Sequence, residues 1–195
     1  MAASAKRIMR IKRGDIPQGT VALARYLLGK VLVREWTGAK AAGRIVETEA
    51  YLTNDPACHA FRGMTPRNRS LFLPAGHAYV YLCYGTSYLL NVSSEPEGVG
   101  EGVLLRALEP LFSTEHKHLN VMRGPGRLTQ ALEVDRRFDG IDLCAPGPLW
   151  IGSDGQPVGR IGRSARIGIT KAAELKLRYF IRGNRYVSGP RALNE

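Results

Sequence analysis

The stretch VETEAY, residues 46–51, contains two glutamates two positions apart, and the predicted sheet must accommodate both carboxylates. In a β-strand, side chains alternate between two faces, so Glu47, Glu49 and Tyr51 share one face. Two carboxylates that lie close together, or are shielded from water, have raised pKa values, and one of them can then accept a proton near neutral pH. The remaining residues of the stretch are expected on the other face: Val46, Thr48 and Ala50.

The alternative interpretation is that these glutamates are structural. A single glutamate in a strand is most often paired with an arginine, and Arg44 or Arg106 could neutralise one of the two. In the chemical interpretation, His59 follows one loop further along and is a candidate partner. The two interpretations stay open at this point.

The flanking sequence predicts a mostly antiparallel sheet around this strand, because short strand pairs occur without regular strand–helix–strand alternation. Helices are predicted over residues 17–29 and 126–134, with a short one after Thr65. We therefore predict a single compact α+β domain over residues 15–195, with a curved sheet and a protruding β-hairpin, preceded by a mobile basic arm over residues 1–14. Strands are predicted at 30–36, 43–51, 77–83, 88–94, 102–110, 165–170 and 177–183.

The charge balance favours an anionic partner. The 195 residues include 28 Lys and Arg against 17 Asp and Glu, for a net charge of +11. Nucleic acid is the first expectation and an acidic membrane the second, whereas the plain alternative is a solvated basic surface. Bases cluster over residues 160–191 and in FRGMTPRNRS (61–70), which favours nucleic acid. The candidate phosphate contacts are Arg62, Arg67, Arg69 and Arg127.

A second candidate constellation is HAYVYLCYGTSY, residues 77–88. A hairpin turn is expected at YGTS, which places Tyr84 at its tip, where an aromatic side chain is hard to bury. Such a wedge can fill the gap left by a base rotated out of DNA, and stacking an aromatic ring on a base contributes roughly 1–3 kcal/mol. Tyr79 and Tyr88 are more simply interpreted as core tyrosines.

Several classes of site are disfavoured. The three cysteines are widely spaced and form no C-x-x-C motif, which is typical of a reducing compartment rather than of a disulfide framework. The pair HKH at 116–118 is expected to be solvated, and no metal or nucleotide-cofactor motif is present, so no metal and no cofactor are expected. No apolar run is long enough for a membrane span, so no membrane attachment is expected.

Seven motifs in one order resemble the alkyladenine (3-methyladenine) DNA glycosylase family. The resemblance runs from about Pro17 to Ser188, and the seven together are far more specific than any one of them. It implies an α/β domain similar to the C-terminal domain of methionyl-tRNA formyltransferase, with a β-hairpin that enters the DNA minor groove. The motifs are GRIVETEAYL, TPRNRSLF, YVYLCYG, LNVSS, GVLLRALEP, GPGRLTQAL and LRYFIRG.

The resemblance implies roles for individual residues. Glu49 is similar to the general base that activates water, and Arg106 and the backbone carbonyl of Ile167 are similar to the groups that hold that water. Tyr84 is similar to the intercalating tyrosine. The walls of the flipped-base pocket are implied to be Tyr51, His59 and Tyr81, with Asn91 crowding the exocyclic amino group of guanine.

The implied enzyme is a monofunctional, monomeric glycosylase of base-excision repair. It would act on double-stranded DNA that contains 3-methyladenine, 7-methylguanine, hypoxanthine or ethenoadenine, and it would need no cofactor. No lysine matches a nucleophile position, so no strand cleavage is expected. The expected location is the bacterial cytoplasm, with the nucleoid, or the nucleus of a eukaryote. The rivals are a non-catalytic nucleic-acid-binding module and a deaminase, and the latter lacks its metal signature.

Overall fold

The computed structural model describes residues 7–114 and 122–194 of the chain. Within these ranges the domain has two α-helices, α1 (Thr20–Leu27) and α2 (Pro125–Ala131), and short 3₁₀ turns. Neither helix of this described part is long and apolar enough to cross a membrane. The strands are β1 (Met9–Arg10), β2 (Val31–Trp36), β3 (Ala39–Tyr51), β4 (Ala78–Cys83), β5 (Ser87–Ser93), β6 (Gly102–Ser113), β7 (Leu149–Ser153), β8 (Ile161–Ser164) and β9 (Arg178–Ile181).

All strands pair antiparallel in one sheet, whose main path runs β1-β7-β2-β3-β6-β5-β4. The long strand β3 lies at its centre. Strand β6 pairs with one edge of β3, whereas β2 and β9 share the other edge, β9 at residues 47–49. Among the described strands, β8 pairs with β9 alone. The predicted single α+β domain with a mostly antiparallel sheet is confirmed, and its central strand is the one that contains both glutamates.

The main core lies between the sheet and helix α1. Leu23 and Leu27 of α1 are fully buried and belong to the same apolar cluster as Ala50 of β3. The Thr48 hydroxyl donates to the carbonyl of Ala24 at 2.8 Å, which fixes the helix on the strand. Burying each leucine contributes about 1.5–3 kcal/mol. The predicted helix over 17–29 is shorter at both ends.

The alternation expected for residues 46–51 is interrupted by a β-bulge. The register of β3 against β6 shifts between Ile45 and Glu47 and again before Thr48. As a result Val46 packs with Phe180 and Val187 in a separate apolar cluster and does not join the core that contains Ala50. A bulge adds a residue to one strand, so it changes which side chains share a face.

The sequence prediction was wrong for residues 165–170, which form no strand. The strand ends at Ser164, because the next residues turn into the domain: the Arg166 side chain is buried against Asp55, and the amide of Ile167 donates to Glu49. This deviation places residues of the 165–170 segment beside Glu49.

The prediction of a mobile basic arm over residues 1–14 is also wrong from Met9 onward. Met9 and Arg10 pair with Ser153 and Gly152 of β7, and Ile11 is buried. The reason is that the backbone of this segment completes the edge of the sheet. Residues 1–6 and the HKH pair at 116–118 lie outside the described residues.

Candidate active site

A cleft of about 1160 Å³ opens between β3, the β4–β5 hairpin and two loops. The first loop follows β3 and contains His59, and the second follows β8 and contains Ile167. The cleft brings together most of the residues that the sequence singled out, although they come from five separate parts of the chain. Those that line it are Tyr51, His59, Arg67, Tyr81, Tyr84, Asn91, Arg106 and Ile167.

Glu49 lies directly behind this lining and has no exposed surface. Its Oε1 accepts from the backbone N–H of Ile167 at 2.8 Å. Its Oε2 accepts from the Tyr51 hydroxyl at 2.9 Å and from Nη1 of Arg106 at 3.3 Å. Burial raises the pKa of the Glu49 carboxyl, and although Arg106 and the two hydrogen bonds oppose this, the pKa stays above its ordinary value. Such a carboxylate is a stronger base than an exposed one.

Glu47 is equally buried but has the opposite electrostatic balance. Its Oε1 accepts from Nε of Arg178 at 2.6 Å and from Nε of Arg106 at 2.9 Å. Its Oε2 accepts from the backbone N–H of Ser188 at 2.6 Å. Burial acts to raise the pKa of Glu47, but Arg106 and Arg178 together bring it below the ordinary value. Glu47 is therefore held as an anion between two guanidinium groups.

Arg44 and Arg106 were the partners predicted from the sequence, and Arg178 was not among them. Arg44 instead forms a two-point ion pair with Asp154, at 2.6 and 3.1 Å. Arg178 is fully buried in β9, within the apolar run LRYFI. Its register partner on the neighbouring strand β3 is Glu49. A charged residue inside an apolar strand was the available signal, because such a residue requires a buried partner.

Arg106 bridges the two carboxylates. It donates from Nε to Glu47 and from Nη1 to Glu49, and its Nη2 donates to the Ser188 hydroxyl at 3.3 Å. Burial acts to lower the pKa of Arg106, but the two carboxylates, Glu49 first, raise it above the ordinary value. The four charges of the network, two positive and two negative, balance one another.

An aromatic wall lines part of the cleft. The rings of His59 and Tyr81 meet edge to face with centroids 4.4 Å apart, and Tyr81 stacks on Tyr79 at 5.3 Å. The Nδ1 atom of His59 is 2.8 Å from the Tyr79 hydroxyl. His59 is exposed and lines the cleft. The protein atoms around its ring still desolvate it in part, and this effect, followed by the charge of Arg67, lowers the pKa of His59.

Tyr79 and Asn91 lie beside each other at the base of the wall. Tyr79 is buried, as the core interpretation predicted, but it also lines the cleft and orients His59. Its strand partner is Asn91, whose side-chain amide donates to the Tyr79 carbonyl at 3.2 Å. This hydrogen bond fixes the Asn91 side chain at the cleft.

Tyr84 lies at the tip of the β4–β5 hairpin, as predicted, with 93% of its surface exposed. Its φ of +48° is in the left-handed region, which is uncommon for a residue with a side chain. A large exposed aromatic ring on a strained turn contributes nothing to the core.

Two loops of the site are joined by a buried ion pair that the sequence analysis did not anticipate. Arg166 donates to Asp55, and both side chains are at most 1% exposed. Nη1 of Arg166 also donates to the carbonyl of Ala50 at 3.0 Å, and its guanidinium lies 4.5 Å from the ring of Tyr51. Arg166 thus fastens the loop of Ile167 against the loop that leads to His59.

Fewer basic side chains are exposed than the basic clusters of the sequence suggested. Arg166 and Arg178 belong to the cluster over residues 160–191, yet both are buried in ion pairs. The four candidate phosphate contacts are all exposed, and Arg67 donates from Nη2 to the carbonyl of Leu82 in the hairpin at 3.2 Å. Further bases lining the cleft, which the sequence analysis did not select, are Arg136 and Lys171.

Comparison with known proteins identifies the family of this chain. The profile of the family described as methylpurine-DNA glycosylase matches residues 15–185. A protein of Mesorhizobium japonicum is 58% identical over 193 residues, covering 95% of this chain and 93% of the relative. One of Paraburkholderia phytofirmans is 47% identical over 194 residues, covering 95% and 91%. Both have the name "Putative 3-methyladenine DNA glycosylase". The chain therefore belongs to the methylpurine-DNA glycosylase family, and it is a DNA-repair enzyme that acts on N-glycosyl bonds.

Proposed function

We propose that the chain removes alkylated or deaminated purines from double-stranded DNA by hydrolysis of the N-glycosyl bond. The substrates are 3-methyladenine, 7-methylguanine, hypoxanthine and ethenoadenine, and the enzyme acts as a monomer without a metal or cofactor. The observation on which this rests is the buried carboxylate of Glu49 beside Arg106 and the amide of Ile167, at the base of an aromatic cleft. The fold is proposed to be similar to the formyltransferase C-terminal domain.

In the proposed reaction, Glu49 activates a water molecule. Cleavage of an N-glycosyl bond develops positive charge on the sugar, which an ionised carboxylate stabilises while it takes a proton from the attacking water. The Arg106 guanidinium and the carbonyl of Ile167 hold that water, the first as donor and the second as acceptor. Arg106 also favours the ionised form of Glu49, which burial alone would disfavour.

The aromatic wall is proposed to bind the flipped base. Tyr51, His59 and Tyr81 present ring faces and edges to a flat, often cationic purine, and cation–π attraction contributes about 0.5–2 kcal/mol for each face. A neutral base such as hypoxanthine requires a proton on departure, which His59 or a water molecule can supply. Asn91, fixed by its bond to Tyr79, crowds the exocyclic amino group of guanine and so excludes the normal base.

Tyr84 is proposed to enter the stack when the base leaves it. Its exposure at the hairpin tip supports this, because stacking on the neighbouring bases offsets part of the few kcal/mol that unstacking costs. The exposed arginines then contact phosphates, so binding weakens steeply with salt. These four are Arg62, Arg67, Arg69 and Arg127.

The test is a panel of duplexes with one lesion each, scored for free base and for strand integrity. We expect wild type to release base and leave the strand intact, and Glu49→Gln to bind the duplex without releasing base. Glu35→Gln is the matched control, because it makes the same change at a partly exposed glutamate of β2, which pairs with Lys40 of β3. Release by Glu49→Gln at the wild-type rate would exclude Glu49 as the base. Binding without release by wild type on every duplex would mean that the proposed substrates are wrong.

A further inference from the structure

Arg178 has an acceptor for each of its five N–H groups, although its side chain is fully buried. Its Nε donates to Glu47, and one Nη1 bond goes to the Ser164 hydroxyl at 2.8 Å. The other three acceptors come from the segment 188–194. A guanidinium has five donors, so this is its complete capacity. The three acceptors are the Leu193 carbonyl at 3.0 Å, the Ser188 carbonyl at 2.9 Å and the Asn194 side-chain oxygen at 2.7 Å.

The same segment contacts Arg106 by a second route. The Ser188 hydroxyl accepts from Nη2 of Arg106 at 3.3 Å and donates to Oε1 of Glu47 at 2.9 Å. The backbone N–H of Ser188 donates to the other oxygen of Glu47. Ser188 therefore contacts both the Arg106 guanidinium and Glu47, the carboxylate that accepts from Nε of Arg106.

These contacts fix Arg106, the guanidinium that donates to Glu49. Arg106 has a long side chain with several free torsions, so the direction of its Nη1 depends on what its other nitrogens contact. Those contacts are Glu47 and Ser188. The other charged or titratable groups near Glu49 are Tyr51 and Glu47 on its own strand, Tyr81 on β4, Arg178 on β9 and Arg166 behind the Tyr51 ring.

We propose that the segment 188–194 is part of the catalytic apparatus, and that Arg178, Glu47 and Ser188 are positioning residues that aim Arg106 at Glu49. The proposal rests on the proposed function, since it matters only if Glu49 acts as the base. Neither Arg178 nor the segment lines the cleft. Their effect is therefore on the chemical step and not on DNA binding.

Two mild variants test this without removing a buried charge. Ser188→Ala removes the hydroxyl between Arg106 and Glu47, and Asn194→Ala removes one acceptor of Arg178. Base release is measured in single turnovers at saturating enzyme from about pH 5 to about pH 9. The matched control is Asn184→Ala, because the Asn184 side chain donates to Glu109 and accepts from the amide of Tyr186. Among the described residues it makes no hydrogen bond to the network of Glu47, Arg106, Arg178 and Ser188.

We expect Ser188→Ala to lower the single-turnover rate on the order of tenfold, with DNA affinity unchanged. The acid limb of its pH–rate profile should shift to higher pH by roughly 0.5–1 unit, because an Arg106 that is held less firmly towards Glu49 stabilises the ionised form of Glu49 less. Ser188→Thr retains a hydroxyl and should restore most of the rate. Asn194→Ala should shift the limb in the same direction by a smaller amount, and Asn184→Ala should not shift it.

The proposal is wrong if Ser188→Ala lowers the rate without moving the acid limb, or if Asn184→Ala moves it equally. It is also wrong if Ser188→Ala has the wild-type rate and profile. Failure of the proposed function is distinguishable, because wild type itself would then release no base, or Glu49→Gln would release it at the wild-type rate.

Discussion

Glu47 and Glu49 are two residues apart and equally buried, yet the same substitution should destabilise the fold only at Glu47. Glu47→Gln removes the charge that faces Arg178 at 2.6 Å and Arg106 at 2.9 Å. Removing one partner of a buried ion pair costs about 3–5 kcal/mol, because the other charge is left without compensation. For a chain of this size each kcal/mol lowers the melting temperature by about 2–4 °C, so the decrease should be about 6–20 °C.

Glu49→Gln should leave the melting temperature at neutral pH unchanged or raise it. Burial raises the pKa of Glu49, so the ionised form is less favourable in the folded chain than in the unfolded chain. An amide removes that penalty, while Arg106 keeps its contact with Glu47. A buried catalytic group often destabilises the fold that holds it, which is the expected trade-off between stability and activity.

The two substitutions should also differ from each other in how stability depends on pH. The pKa of Glu47 is lowered on folding, so its contribution is fully present above the ordinary glutamate value, roughly 4.3, and is lost as the pH falls through the folded value. Melting followed by circular dichroism should show the gap between wild type and Glu47→Gln narrowing at acid pH. Equal destabilisation by both substitutions, or a gap that does not narrow, would refute the reasoning.

Three further changes should each affect one part of the site. Asp55→Asn leaves Arg166 buried without its counter-charge, so the free energy of unfolding in urea should fall by about 3–5 kcal/mol. Tyr84→Ala should leave that free energy unchanged because the ring is exposed, but it should weaken binding to a lesion duplex, measured by titration, by about 1–3 kcal/mol. Gly162→Ala should lower the melting temperature, because the new Cβ would overlap the buried ring of Phe180, at a cost of about 1–3 kcal/mol.

The elements that follow a simple local period could be predicted from the sequence. The hairpin at Tyr84 and the two strands around residues 37–38 were placed correctly, because alternating apolar residues and a glycine turn are sufficient signals. The turn after Trp36 is shorter than predicted, since β3 already begins at Ala39. The four additional residues of β3, 39–42, pair with β2. The local strand propensity of these residues does not predict such pairing between strands.

The partners of the buried charges could not be predicted in the same way. Arg166 and Arg178 were counted with a basic surface because charge runs are usually solvated. The apolar neighbours of Arg178 were a local signal of burial, but nothing local distinguishes Arg166 from exposed arginines such as Arg163. Their partners, Asp55 and Glu47, are more than a hundred residues away, so the pairing depends on the order of strands in the sheet.

Arg178, inside an apolar strand, explains how Glu47 and Glu49 can both be buried in one strand. Two adjacent carboxylates can both be buried only if the cations around them are unequally shared. Glu47 receives two guanidinium groups and the Ser188 amide, whereas Glu49 receives one guanidinium at the longer distance of 3.3 Å. The inequality keeps Glu47 ionised as a structural anion and leaves Glu49 with a raised pKa at the edge of the cleft. An even distribution of the same charges would give two equivalent carboxylates, and neither would be selected as a base.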